Sequence, residues 1–163
     1  MTLTIIKKTN KVFVLLFVAF IVFACNNNDV YHSYQSVSPQ GWSKDSSYTF
    51  DVPIDDVAAS YNIYVNVRNV GDYPYQNLWL FLSKTMPTKV QQNDTIECYL
   101  ADQRGKWLGT GIGSTYQMSV LYLQNTRFET KGTYRYKIVH GMRDDLLVGV
   151  NDIGVRVEKV INK

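Results

Sequence analysis

Tyr61-Asn62-Ile63-Tyr64-Val65-Asn66-Val67 is the stretch that decides the fold. Tyr61, Ile63, Val65 and Val67 share one parity, and Asn62, Tyr64 and Asn66 the other. Side chains of an extended chain point alternately to opposite faces, so this period of two, rich in β-branched and aromatic residues, reads as a half-buried strand. Downstream, Leu78-Trp79-Leu80-Phe81-Leu82 is apolar on both parities and predicts a central strand covered on both sides. Residues 31–37, 47–52, 94–101, 115–123, 132–140, 146–150 and 154–160 carry similar strand patterns. Between them lie turn segments such as Ser38-Pro39-Gln40-Gly41, Val70-Gly71-Asp72-Tyr73-Pro74, Met86-Pro87 and Gln103-Arg104-Gly105-Lys106. No window sustains a 3.6-residue period with caps. Asp144-Asp145-Leu146-Leu147 alone suits a short helical turn. About nine short strands at this spacing predict an all-β fold, an antiparallel β-sandwich of jelly-roll or immunoglobulin-like type.

The chain of 163 residues has room for one such domain. Its first 25 residues are an address. Lys7, Lys8 and Lys11 are the charged residues before Cys25, and residues 12–24 form an uncharged apolar run. As a helix that run spans about 20 Å, short of the roughly 30 Å hydrocarbon core, which describes a secretory signal rather than a membrane span. Val22-Phe23-Ala24-Cys25 resembles the bacterial lipobox, in which the cysteine becomes the acylated first residue. We therefore expect a cleaved lipoprotein signal peptide at 1–24, a lipidated Cys25 with a polar tether at 25–30, and a single β-sandwich domain at 31–163. More than one acyl chain on Cys25 suffices for stable membrane attachment. Asn26 after the cysteine favours the outer membrane, with the domain facing the periplasm. Past Cys25 the chain carries 14 basic against 14 acidic groups, which leaves no electrostatic footprint for nucleic acid.

Catalytic and metal-binding patterns are weak. With Cys25 acylated, Cys98 lacks an intramolecular partner, and its parity with Ile96 and Leu100 predicts a buried, inert thiol. His140 has the parity of Tyr134, Tyr136 and Ile138, which reads as a satisfied sheet histidine. His32 lies far away in sequence. No HxxxH or CxxC spacing supports a metal site, and no cofactor is implied. Asp55-Asp56 and Asp144-Asp145 read as solvated loop carboxylates. Gly109-Thr110-Gly111-Ile112-Gly113 lacks the Lys-Ser/Thr end of a phosphate loop and reads as a bend between strands.

Aromatic residues are in excess, with 12 Tyr and 3 Trp in the whole chain. Tyr31, Tyr34, Trp42, Tyr73, Tyr75 and Trp107 fall in or beside predicted loops, where such side chains suit recognition surfaces. Most of the tyrosines read as half-buried strand residues instead.

The lipobox, Pro74-Tyr75-Gln76-Asn77-Leu78-Trp79-Leu80-Phe81, Asp94-Thr95-Ile96-Glu97, Leu100-Ala101-Asp102-Gln103-Arg104-Gly105-Lys106-Trp107-Leu108-Gly109, His140-Gly141-Met142-Arg143 and Gly149-Val150-Asn151-Asp152-Ile153-Gly154-Val155-Arg156-Val157-Glu158 occur in an order that resembles the gliding motility lipoprotein GldH family. The resemblance implies a lipid-anchored cell-envelope protein, accessory or structural and not an enzyme, in a motility system tied to protein secretion. Its partners would be other envelope lipoproteins or secretion and motility proteins. Asp102, Arg104, Lys106 and Trp107, with Arg143, are the expected contact residues, since Trp and Arg are frequent interface anchors. A competing role has Trp107 covering an end of its own sandwich. The alternative function is a surface glycan-binding module that stacks sugars on Trp42, Trp107 and tyrosines; Trp79 is expected to be buried.

Overall fold

The computed structural model describes residues 28–161, so the expected signal segment and Cys25, the expected acylation site, lie outside the described residues. Among these residues the chain forms strands and connecting loops, with no helix. β1 (Asp29–Ser36), β11 (Val150–Lys159), β4 (Tyr61–Val70), β8 (Thr115–Thr126) and β7 (Thr110–Ile112) make a five-stranded sheet in that order. β3 (Tyr48–Ile54), β9 (Gly132–His140), β5 (Asn77–Thr85) and β6 (Gln91–Tyr99) make a four-stranded sheet. β2 (Trp42–Ser43) and β10 (Leu146–Leu147) pair as a small ribbon. Every pairing is antiparallel. The chain crosses between the two large sheets from β3 to β4, β4 to β5, β6 to β7 and β8 to β9, so consecutive strands interleave across the core.

Alternation drives the packing. On β4 the side chains of Tyr61, Ile63, Val65 and Val67 are buried, as their shared parity predicts. They meet Ile153, Val155 and Val157 of β11 on the same inner face, and Phe50, Val52, Leu78, Leu80, Leu82, Tyr136 and Ile138 from the opposite sheet. Fully burying each aliphatic side chain contributes roughly 1.5–3 kcal/mol. Pro53 lies in β3, which pairs on one side only, with β9. An edge strand tolerates proline, because the missing N–H falls on the unpaired side. The far edge of the same sheet is β6, whose nine residues pair with β5 without a register shift. There Asp94 points inward and accepts a hydrogen bond from Tyr122 of β8, clasping the two sheets together.

The structure corrects several expectations. β1 opens at Asp29, inside the segment expected as tether. β5 lies between β9 and β6, yet it is covered on one face only. Leu78, Leu80 and Leu82 are buried, whereas Trp79 is 39% and Phe81 52% exposed. Asp144-Asp145-Leu146-Leu147 is not helical, because Leu146 and Leu147 pair with Ser43 and Trp42. The strand expected over 146–150 splits between β10 and β11. Thr110–Ile112 of the glycine-rich stretch is itself a strand, paired with the start of β8.

Candidate functional site

Residues 100–109 form a tight hairpin held by the backbone. Leu108 N–H donates to the Leu100 carbonyl at 2.9 Å, Asp102 N–H to the Lys106 carbonyl at 2.9 Å, and Gly105 N–H to the Asp102 carbonyl at 2.9 Å. The Asp102 carboxylate accepts from the N–H groups of Arg104 and Lys106, each at 2.9 Å. An aspartate that satisfies two turn donors rigidifies the loop, so Asp102 shapes this hairpin rather than offering a free charge. Arg104 and Lys106 are exposed at its tip, and among the described residues neither forms a salt bridge.

Trp107 pairs with Ala101 across the hairpin. Its half-buried ring packs onto the core, 5.6 Å from the Tyr116 ring and 6.4 Å from that of Tyr73. The Trp107 ring thus packs in part onto its own domain and stays in part exposed. Arg143 is exposed on a different segment. Two anchors hold that segment on β5, where Gly141 N–H donates to the Trp79 carbonyl at 2.6 Å and Trp79 N–H points at the Met142 sulfur at 3.3 Å. The four hairpin residues therefore come together, and Arg143 reaches them only through intermediaries. Asp144 accepts from the Tyr75 hydroxyl at 2.7 Å. The Tyr75 ring meets Tyr73 edge-on at 5.9 Å, and Tyr73 meets Trp107.

Cys98 is fully buried on the inner face of β6, as its parity predicts, and burial pushes its thiol up to about 12. His140 is also buried, facing inward with Tyr134, Tyr136 and Ile138. Its ring meets Trp42 edge-on at 5.4 Å. Contrary to the expectation of a satisfied histidine, neither ring nitrogen has a hydrogen-bond partner among the described residues; burial lowers its pKa. His32 lies on the outer face of the other sheet, 3.6 Å from Asp29. Asp56 is bound to Lys159 at 2.6 Å, and Asp145 lies 3.8 Å from Lys44. Among the described residues no three metal-ligating side chains converge.

The loop aromatics sort differently from the expectation. Trp42 is 0% exposed, its indole N–H donating to the Ser46 carbonyl at 3.2 Å, so no sugar can stack on it. Tyr73 is buried as well. Trp79, expected to be inside, joins Phe81 and Tyr99 on the outer face of the four-stranded sheet. The sequence held a sign of this: Trp79 and Phe81 share parity with the polar Asn77 and Ser83, which bracket them.

Fold and site together define a two-sheet antiparallel sandwich that displays a rigid basic-aromatic hairpin. The family model described as GldH lipoprotein matches residues 29–157. The chain belongs to the GldH lipoprotein family. It is 32% identical over 158 residues to the gliding motility lipoprotein GldH homolog of Christiangramia forsetii, covering 93% of this chain and 96% of that protein. It is also 32% identical over 153 residues to the gliding motility lipoprotein GldH of Flavobacterium johnsoniae, covering 90% and 94%. Among solved structures, the infectious bursal disease virus VP2 subviral particle gives a TM-score of 0.34 at 16% identity, over 82% of this chain and 31% of that one. A likeness that slight carries no argument.

Proposed function

We propose that the protein is a lipid-anchored component of the cell envelope, acylated at Cys25 and held at the outer membrane facing the periplasm. It serves gliding motility and the protein secretion coupled to it by binding another envelope protein, with no catalytic step of its own. Family membership supports the lipoprotein and motility parts of this reading. The observation that carries the docking part is the hairpin at 100–109. Its backbone is pinned by Asp102, its base is wedged by Trp107, and it presents Arg104 and Lys106 without an ionic partner among the described residues. A preorganised loop loses little entropy on binding, and unpaired cations at its tip suit an acidic partner surface. Arg143, exposed on a separate segment, is a second contact in this reading.

A photo-crosslinking residue placed at position 104 or 106 of the full-length chain, in native membranes, tests the reading. Capture of a discrete envelope protein, abolished by Arg104→Glu or Lys106→Glu at the neighbouring position, supports it. Empty crosslinks, or capture indifferent to both charge reversals, removes the hairpin from the interface. Metabolic labelling with an alkyne palmitate analogue tests the anchor separately: the native chain takes up label and Cys25→Ser does not.

A further inference from the structure

The outer face of the four-stranded sheet holds a feature that the docking hairpin does not use. Tyr99 is 59%, Phe81 52% and Trp79 39% exposed. Strand register sets their arrangement. Tyr99 is opposite Asn77, Trp79 opposite Glu97, and Phe81 opposite Thr95, so the three aromatics occupy successive rows on one face and extend for about 13 Å along the strands. Two of the rings make contacts with neighbours on the sheet. The Tyr99 hydroxyl donates at 2.8 Å to Glu97, two residues back on the same strand and face. Phe81 rests against Gly141, where a Cβ would come within 3.1 Å of its Cε2 and Cζ atoms.

Polar groups border these rings. Asn77 donates to the other Glu97 oxygen at 2.5 Å, which fixes that carboxylate between Tyr99 and Trp79. Next to Phe81 an open groove of about 520 Å³ runs past Ser83, Gln91, Asn93 and Thr95. Ser83 and Gln91 both donate to the Asn93 side-chain oxygen, at 2.7 and 2.9 Å. That arrangement orients the Asn93 amide, whose two N–H groups have no partner among the described residues.

We infer that this face is a binding site for a neutral polysaccharide or oligosaccharide. A row of exposed aromatic rings bordered by polar groups suits the C–H faces and hydroxyls of a sugar chain. The fixed amide and carboxylate at the border match the alternating donors and acceptors of sugar hydroxyls. The site is independent of the hairpin and goes beyond the docking role.

Native gel electrophoresis of the full-length, detergent-solubilised protein through gels containing laminarin, hydroxyethyl cellulose, galactomannan or xylan tests the inference. Retardation by at least one of these is expected. Phe81→Ala and Tyr99→Ala should each weaken it, by roughly tenfold when one stacking contact is lost. Trp107→Ala should leave it intact. Phe81 and Tyr99 are the more exposed rings, so both variants keep the fold, which coincident thermal melts verify. Free migration in all four gels overturns the inference, as does retardation that both variants leave unchanged. If Phe81→Ala instead removes a protein crosslink and shifts no polysaccharide gel, the face docks protein and the glycan assignment is wrong.

Discussion

Replacing Trp42 by Ala removes the cap of the sandwich at the β2–β10 end. A tryptophan buries roughly 150–250 Å², which at about 25 cal/mol/Å² amounts to about 4–6 kcal/mol. The retained Cβ and partial collapse of Tyr48 and His140, whose rings lie 5.0 and 5.4 Å away, bring the expected loss to about 4 kcal/mol. In urea, with a slope near 2 kcal/mol/M, the midpoint should fall by about 2 M. A second readout is specific to this geometry. In the folded wild type, burial holds His140 below its ordinary value of 6.5. The unfolded chain therefore takes up the proton first as pH drops. Stability is full above about pH 6.5 and declines as pH falls towards the lowered folded value. In Trp42→Ala water reaches the imidazole, its midpoint climbs back towards 6.5, and this acid slope flattens. The chain has two histidines, so an NMR titration resolves the change. A midpoint loss under about 0.5 M, or an unmoved His140 titration, would refute the reasoning.

Three further outcomes are expected. Cys98, with its thiol raised to about 12, should resist alkylation at pH 8 in the native protein and react about a thousandfold faster once urea unfolds it; rapid labelling of the native chain contradicts the burial. Gly149 has φ +86°, and a Cβ there would come within 2.7 Å of the Tyr73 Cα. Gly149→Ala should therefore cost about 2 kcal/mol or more in thermal unfolding. Gly113→Ala, at φ +67° with open space around it, should cost about 1 kcal/mol from backbone strain alone. The Arg135 guanidinium grips Asp51 through two hydrogen bonds of 2.7 and 2.8 Å and holds its carboxyl below the usual 3.8. That contribution is present above about pH 3.8 and fades as pH falls through the lowered folded value. Both side chains are exposed, so Arg135→Ala should shift the melting temperature only slightly, and less still in high salt.

Local pattern carried the sequence reading where burial follows parity. β4 and β9 were legible because each sends every second residue into the core, and β9 matches its expected bounds, 132–140. β5 misled because aromatic residues at 79 and 81 look like core by composition. What distinguishes them is their company, with Asn77 and Ser83 on the same face. The Trp42–Leu147 pairing was invisible, since strands of two residues have no period and their partners lie a hundred residues apart. Burial of Trp42 followed from it unseen, and Tyr73, also in turn-like sequence, is drawn under by its packing against Gly149 and Trp107. For the site, the hairpin at 100–109 was located by its residues, but the use of the Asp102 carboxylate as a turn brace required coordinates. The contacts of Tyr99 with Glu97 and of Phe81 with Gly141 are likewise ones that no spacing rule reveals.

The Asp94–Tyr122 clasp at β6 bears on how many copies can share one leaflet. A straight, unbulged outermost strand is a template onto which a neighbour's strand can zip. Lateral confinement on a membrane raises the frequency of such encounters. An incoming strand would cover the exposed, inward-turned Asp94 carboxylate and strip water from it, which carries a desolvation cost. Crowded molecules should thus stay separate and laterally free.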